Sequence, residues 1–138
     1  MLDELLAAAR TQLLRLEPQQ LFDLMATAGV VVLDTRTPTD RTAYGCIPGS
    51  IHTPRTGLEW RVALDAPLRR AEVTDLDQLL VVVCNEGFSS SLAAVSLQTL
   101  GFHRATDLVG GVMAWADAKL PLVPPQGDEI GLRNDGDR

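Results

Sequence analysis

The sequence has few cysteines, few aromatic residues and no long hydrophobic run. Its two cysteines, Cys46 and Cys84, are too few for a disulfide framework, which favours reduced thiols and a cytoplasmic protein. No apolar segment reaches the ~20 residues that a membrane-spanning helix needs. The first residues are acidic where a secretion signal would be basic, so neither secretion nor membrane association is expected.

Positive charge is also scarce, with 12 Lys and Arg against 18 Asp and Glu and a net charge of −6. Nucleic-acid binding depends on clustered basic residues, so this balance argues against nucleic acid as a partner. The two histidines, His52 and His103, lie at no metal-ligand spacing, and a zinc site needs three or four ligands. The sequence therefore predicts no metal and no cofactor.

Two aliphatic runs, residues 30–34 and 79–83, have the length and the β-branched content of buried strands. Weaker patterns predict short strands at 51–53 and 105–108. Helical spacing of apolar residues predicts helices over 2–16, from Pro18 to near Gly29, and over 56–64, 89–100 and 112–118. Residues 37–49, with two prolines and two glycines, are predicted to form a loop. Strands that alternate with helices predict an α/β domain with a largely parallel central sheet.

Cys84 stands where the second aliphatic run stops, before a loop with one glycine and the start of a helix. The carboxyl ends of parallel strands are where α/β sheets bind ligands, and amide groups at a helix start favour an anion such as a thiolate. A buried structural cysteine is the alternative. The polar residues after Cys84 favour a reactive cysteine instead. Serines 89–91 are predicted to include a helix N-cap, with the others available to a bound anion.

Four segments, in this order, resemble the single-domain rhodaneses, a family of sulfurtransferases; they are residues 31–36, 45–50, 84–89 and 108–115. The resemblance implies helices on both faces of the central sheet. It also implies a rhodanese-like domain over 17–123. The apolar spacing places an N-terminal helix before it, over 1–16, and the Pro, Gly, Asp and Asn content after it predicts a poorly ordered tail over 124–138.

The resemblance further implies that Cys84 takes a sulfane sulfur from a small donor and passes the resulting persulfide sulfur to a thiophilic acceptor. A covalent intermediate of this kind splits one difficult transfer into two easier steps. Asp34 and Arg36 match a structural acid and base near the sheet. The backbone amides after Cys84 would hold the outer sulfur, which makes the following loop residues substrate-binding candidates: Asn85, Glu86, Gly87, Phe88, Ser89 and Ser90.

The loop departs from the family pattern because it carries Glu86 and no cation. Arg55 and Arg61 are candidates to bring the missing charge from another loop, although a surface role is as consistent with the sequence. Trp60 is a candidate to line the same site. Cys46 stands where the family usually has histidine, and it is either a small packed side chain or a resolving thiol for Cys84.

Two other functions share the same sequence features. Related phosphatases and arsenate reductases place an arginine six residues after the cysteine, because a tetrahedral oxyanion needs a bidentate cation. The sixth residue after Cys84 is Ser90, which argues against this chemistry. A persulfide carrier or redox-sensing binding module without rapid turnover remains the non-enzymatic alternative.

Overall fold

A computed structural model describes residues 1–27 and 29–126. Most of the predicted tail, from residue 127 on, therefore lies outside the described residues. None of the helices in these two ranges is long and apolar enough to span a bilayer. The elements are α1 Leu2–Arg10, α2 Pro18–Leu24, β1 Val30–Asp34, α3 Pro38–Tyr44, β2 Ile51–His52, a 3-10 turn Arg55–Gly57, α4 Leu58–Val62, β3 Leu79–Val83, α5 Ser89–Thr99, β4 Thr106–Asp107 and α6 Gly111–Asp117.

The four strands form one sheet in the order β2-β1-β3-β4, and every neighbouring pair is parallel. The two aliphatic runs pair along their whole length, so Asp34 at the end of β1 lies opposite Val83 at the end of β3. Asp34 is also in register with His52 at the end of β2. The residues that follow these strands therefore emerge at the same edge of the sheet, as the predicted parallel sheet requires.

Helices cover both faces of this sheet, which confirms the predicted α/β architecture. Alternate side chains of β3 point to opposite faces, as the two-residue period of a strand dictates. Leu80 and Val82 pack in a cluster with residues of α4 and α5. Val81 and Val83 pack with residues of α2 and α6, including the fully buried Trp115. Burial of each such side chain stabilises the fold by about 1.5–3 kcal/mol, which is why both strands lack polar residues until they end.

The predicted helix over residues 2–16 is wrong in its last part, because α1 ends at Arg10. Beyond a turn, the chain becomes extended, and Leu16 forms a parallel bridge with Leu108. The Leu16 N–H donates to the Asp107 carbonyl at 3.1 Å, and the Val109 N–H donates to the Leu16 carbonyl at 2.9 Å. Pairing beside β4 thus overrides the helical spacing of these leucines.

The predicted loop over residues 37–49 is wrong where α3 forms. The Thr37 hydroxyl accepts a hydrogen bond from the Asp40 N–H at 3.2 Å, and Pro38 occupies the first helical turn. Threonine followed by proline is a favourable helix start, since proline lacks only an N–H that has no partner within the helix at this position. The prolines and glycines of residues 37–49 favour a loop, but the helix start at Thr37 and Pro38 is the stronger signal in the folded chain.

Candidate active site

Cys84 directly follows β3 and is 7% exposed, at the sheet edge where β1 and β2 also end. Residues 84–89 are named here the active loop. Within this loop the Gly87 N–H donates to Cys84 Sγ at 3.2 Å. The sulfur opens into a pocket of about 280 Å³. The lining residues are Thr35, Arg36, Thr37, Asp40, Cys84, Asn85, Glu86, Phe88 and Ser89.

Backbone hydrogen bonds from the start of α6 hold the active loop in place. The Val112 N–H donates to the Cys84 carbonyl and the Met113 N–H to the Asn85 carbonyl, both at 2.9 Å. Gly87 has a φ of +85°, and a Cβ at this position would lie 2.7 Å from the Gly110 nitrogen. Only glycine therefore allows the turn and the close approach of these two backbone segments.

The serines that open α5 have a different role from the predicted one. Phe88 is the N-cap residue, with no side-chain cap, so the predicted serine cap is wrong. The hydroxyls of Ser90 and Ser91 each donate to Asp107 Oδ2 at 2.7 Å. The Ser90 side chain is fully buried on Asp107 and does not line the pocket, whereas Ser89 does. Sequence reasoning missed Asp107, although an acid at the end of a strand on this edge was a usable signal.

Asp34 and Arg36 form the ion pair that the resemblance implies. Arg36 donates to the Asp34 carboxylate from Nε at 3.0 Å and from Nη2 at 2.8 Å. Arg36 also donates to the Gly45 carbonyl and, at 3.4 Å, to Asn85 Oδ1. Arg41 Nε, which the sequence did not point to, donates to Asp34 Oδ2 at 3.0 Å. Asp34 thus ties the segment after β1 to α3 and, through Arg36, to the active loop.

Burial alone raises the pKa of Asp34, but the hydrogen bonds and charge of Arg36, and then the charge of Arg41, outweigh it. The pKa therefore lies below its ordinary value of 3.8. Since folding lowers this pKa, the ionised carboxylate stabilises the fold above pH 3.8, and the contribution is lost as pH falls through the lower folded value.

Asp34→Asn should lower the free energy of unfolding at neutral pH by about 3–5 kcal/mol, because two buried guanidinium groups lose their counter-charge. The difference from the parent should shrink as pH falls below 3.8. Urea unfolding at several pH values measures both effects. Asp3→Asn, which removes an exposed carboxylate, is the control and should change stability by less than about 0.5 kcal/mol. A difference that stays constant with pH would contradict the expectation.

Arg55, Trp60 and Arg61 do not line the Cys84 pocket. Arg55 Nη1 lies 3.1 Å from both carboxylate oxygens of Glu59, one helical turn away. Trp60 is 63% exposed and lines a different depression with Glu59 and Leu100. The structure thus brings Asp34, Arg36 and most of the active loop together at Cys84, whereas Arg55, Trp60 and Arg61 are not among the residues that line the pocket.

Acidic groups dominate the charge of the pocket. Among the described residues that line it, Arg36 carries the positive charge, and Asp34 already binds that guanidinium. Asp40 and Glu86 are the lining acids, and Asp40 Oδ2 accepts a hydrogen bond from Asn85 Nδ2 at 2.9 Å. The sequence did not indicate Asp40, which reaches the pocket because α3 folds back towards the active loop.

Cys46 is 1% exposed and does not line the pocket. Its backbone pairs with Val123 in both directions, with N···O distances of 2.7 and 2.9 Å. Its Sγ lies 3.9 Å from the Arg41 carbonyl, and neither Cys46 nor Cys84 forms a disulfide. This environment favours the packed side chain over the resolving thiol.

Comparison with known proteins assigns most of this architecture to one family. A family model described as "Rhodanese-like domain" matches residues 17–118. A protein named "Sulfurtransferase" from Allochromatium vinosum is 34% identical over 104 residues, which are 75% of this chain and 88% of that protein. A protein named "Thiosulfate sulfurtransferase GlpE" from Ectopseudomonas mendocina is 36% identical over 115 residues, 83% of this chain and 94% of that protein.

Among solved structures, a Rhodopseudomonas palustris protein of unknown function, described as a possible tyrosine phosphatase, superimposes with a TM-score of 0.81. It is 28% identical, and the match covers 88% of this chain and 93% of that protein. The shared fold thus extends beyond the segment that the family model matches.

Proposed function

Because this chain belongs to the rhodanese-like domain family, we propose that it moves a sulfane sulfur through a persulfide on Cys84. Family membership supports sulfur transfer as the general activity. The observation that carries the finer proposal is the Gly87 N–H, which donates to Cys84 Sγ at 3.2 Å, with both residues buried in an otherwise partly exposed loop. An amide fixed in this position can donate to the negative charge that develops on this sulfur when it leaves during transfer.

The reaction needs no redox partner. The Cys84 thiolate attacks the outer sulfur of the donor, a new S–S bond forms, and the S–S bond of the donor breaks. The electron pair leaves on the donor thiolate, or on sulfite when the donor is thiosulfate. A thiophilic acceptor then attacks the outer sulfur of the persulfide, and the Cys84 thiolate leaves with the electron pair. Both half-reactions balance in atoms and in charge.

Intact-mass measurement tests this proposal directly. Incubation with a donor, either thiosulfate or a low-molecular-weight persulfide, should add one sulfur atom, about 32 Da, that cyanide removes as thiocyanate. A protein that gains no mass with any of these donors would contradict the proposal. A persulfide that forms but passes to no small acceptor would instead identify the persulfide carrier, the non-enzymatic alternative.

The charge of the pocket favours a donor whose net negative charge is smaller than that of a dianion. Glu86 is exposed at the pocket, and Asp40 lines the same space. Thiosulfate is a dianion, so both carboxylates repel it, whereas the ammonium group of cysteine persulfide offsets one of its two negative charges and leaves a net charge of about −1. We therefore place low-molecular-weight persulfides ahead of thiosulfate as donors.

Glu86→Gln should raise kcat/KM for thiosulfate by about three- to tenfold, because it removes one repulsive charge from the pocket. The value for cysteine persulfide should change much less. Asp77→Asn is the matched control, since it removes one exposed negative charge just before β3, at the far end of that strand from Cys84. Steady-state kinetics with both donors gives the comparison. An equal change for the two donors would argue against charge discrimination by Glu86.

Phosphatase chemistry is the weaker candidate for this pocket. The lining guanidinium, Arg36, already donates to Asp34, to the Gly45 carbonyl and to Asn85. A phosphate ester needs a guanidinium free to bind its oxygens in a bidentate manner. We therefore expect no Cys84-dependent turnover of an aryl phosphate.

A further inference from the structure

Two arginines from the segment before the family match converge on the active loop. Arg10 Nη2 donates to the Gly87 carbonyl at 2.7 Å, and Arg15 Nη2 donates to the same oxygen at 3.1 Å. Arg10 is the last residue of α1, and Arg15 lies in the extended segment that follows. Both precede residues 17–118, the range that the rhodanese-like family model matches, so neither is part of that match.

Both arginines also bond to a buried cluster formed by Asp107 and Ser91. Arg15 Nε donates to Asp107 Oδ1 at 2.8 Å, and Arg10 Nε donates to Ser91 Oγ at 3.1 Å. Ser91 in turn donates to Asp107, which is fully buried. Asp107 offsets one of the two positive charges, so the cluster places one net positive charge behind the active loop.

The carbonyl that both arginines contact belongs to Gly87, the residue that also contacts the Cys84 sulfur. The Gly87 N–H donates to Cys84 Sγ, so anchoring the Gly87 carbonyl fixes this residue on both sides. A glycine with a φ of +85° has more backbone freedom than any other residue, and an anchor restricts it most at such a position. In a trans peptide the N–H of Phe88 points away from the Gly87 carbonyl, so the arginines also orient this second amide.

We propose that Arg10 and Arg15 are positioning residues for Cys84, and that they supply from outside the loop the positive charge that the loop itself lacks. They hold the amides of Gly87 and Phe88 in place, and their charge attracts an anionic reagent or donor towards the loop. For sulfur transfer the inference rests on the proposed function, but its effect on the reactivity of Cys84 does not.

Alkylation of Cys84 at one neutral pH tests the proposal without any sulfur donor. Arg10→Gln should slow alkylation by neutral iodoacetamide about five- to tenfold, because the Gly87 amide that contacts Sγ loses an anchor and the sulfur is held less well for attack. It should slow alkylation by the anionic reagent iodoacetate more strongly, since a charge that attracts the reagent is also lost. A purely structural effect would slow both reagents equally. The ratio of the two alkylation rates therefore distinguishes the loss of positive charge from a purely structural effect of the substitution.

Two further variants complete the design. Arg10→Lys keeps the charge and should keep most of the iodoacetate-to-iodoacetamide ratio. Arg104→Gln removes an exposed arginine that donates to the Asp77 carbonyl, and it should leave both rates unchanged. Parent-like rates in Arg10→Gln, or a loss that Arg10→Lys shares fully, would overturn the proposal. Neither result would affect the persulfide test, so failure of this inference and failure of the proposed function are distinguishable.

Discussion

Cys84→Ser is expected to abolish persulfide formation and to lower the rate of sulfur transfer by at least about 10³-fold. A serine hydroxyl is not ionised at neutral pH and forms no stable bond of this kind to sulfur. The side chain is similar in size, and the site is 7% exposed at the end of a strand that hydrophobic packing holds in place. The variant should therefore fold, with a melting temperature close to that of the parent.

The matched control for this experiment is Cys46→Ala. Cys46 is buried against the Arg41 carbonyl and does not line the pocket, so its removal should lower stability slightly and leave the one-sulfur adduct intact. Intact mass after donor treatment gives both answers from the same samples. An adduct that persists in Cys84→Ser, or disappears in Cys46→Ala, would show that Cys46 and not Cys84 carries the transferred sulfur.

Gly111→Ala is expected to have the second-largest effect, although residue 111 carries no reactive group. A Cβ at this position would lie 2.4 Å from the Cys84 carbonyl oxygen and 2.5 Å from the Asn85 carbonyl oxygen. Both contacts are to backbone atoms, which cannot turn aside as a flexible side chain does. The active loop must therefore shift, and a displacement of about 1 Å costs roughly 10²-fold in rate.

Gly49→Ala separates the two contributions to this effect. Gly49 has a φ of +82° but an added Cβ would meet nothing within 4 Å, so this variant measures backbone strain alone, about 1–2 kcal/mol. Gly111, at a φ of +62°, adds the clash to the strain, and we expect a loss of roughly 3–5 kcal/mol. Denaturant unfolding and steady-state kinetics on both variants check this. Parent-like turnover in Gly111→Ala would show that the active loop tolerates the shift.

The features that the sequence predicted are those with a local cause. The strands β1 and β3 follow from continuous aliphatic runs, and the position of Cys84 follows from the point where one run stops. The parallel sheet follows from the alternation of elements. The first two inferences need only neighbouring residues, and the third needs only the order of the elements along the chain. The structure confirms all three.

Apart from α3, whose start signal is local, the features that the sequence did not predict depend on contacts between distant residues. Arg10 and Gly87 are 77 residues apart, and Arg15 and Asp107 are 92 apart. No spacing rule connects such pairs, because only the folded chain brings them together. The serines at the start of α5 show the same limit, since their hydroxyls bind a buried carboxylate instead of the backbone N–H groups that a local capping rule assigns to them.

The bridge between Leu16 and Leu108 bears on self-association as well as on the position of Arg15. The strand β4 lies at the edge of the sheet, and an exposed edge offers unpaired N–H and carbonyl groups to the strands of other molecules. Here Leu16 pairs with the Asp107 carbonyl and the Val109 N–H, the groups that face away from β3. The segment that carries the two arginines therefore also protects this edge of the sheet against aggregation.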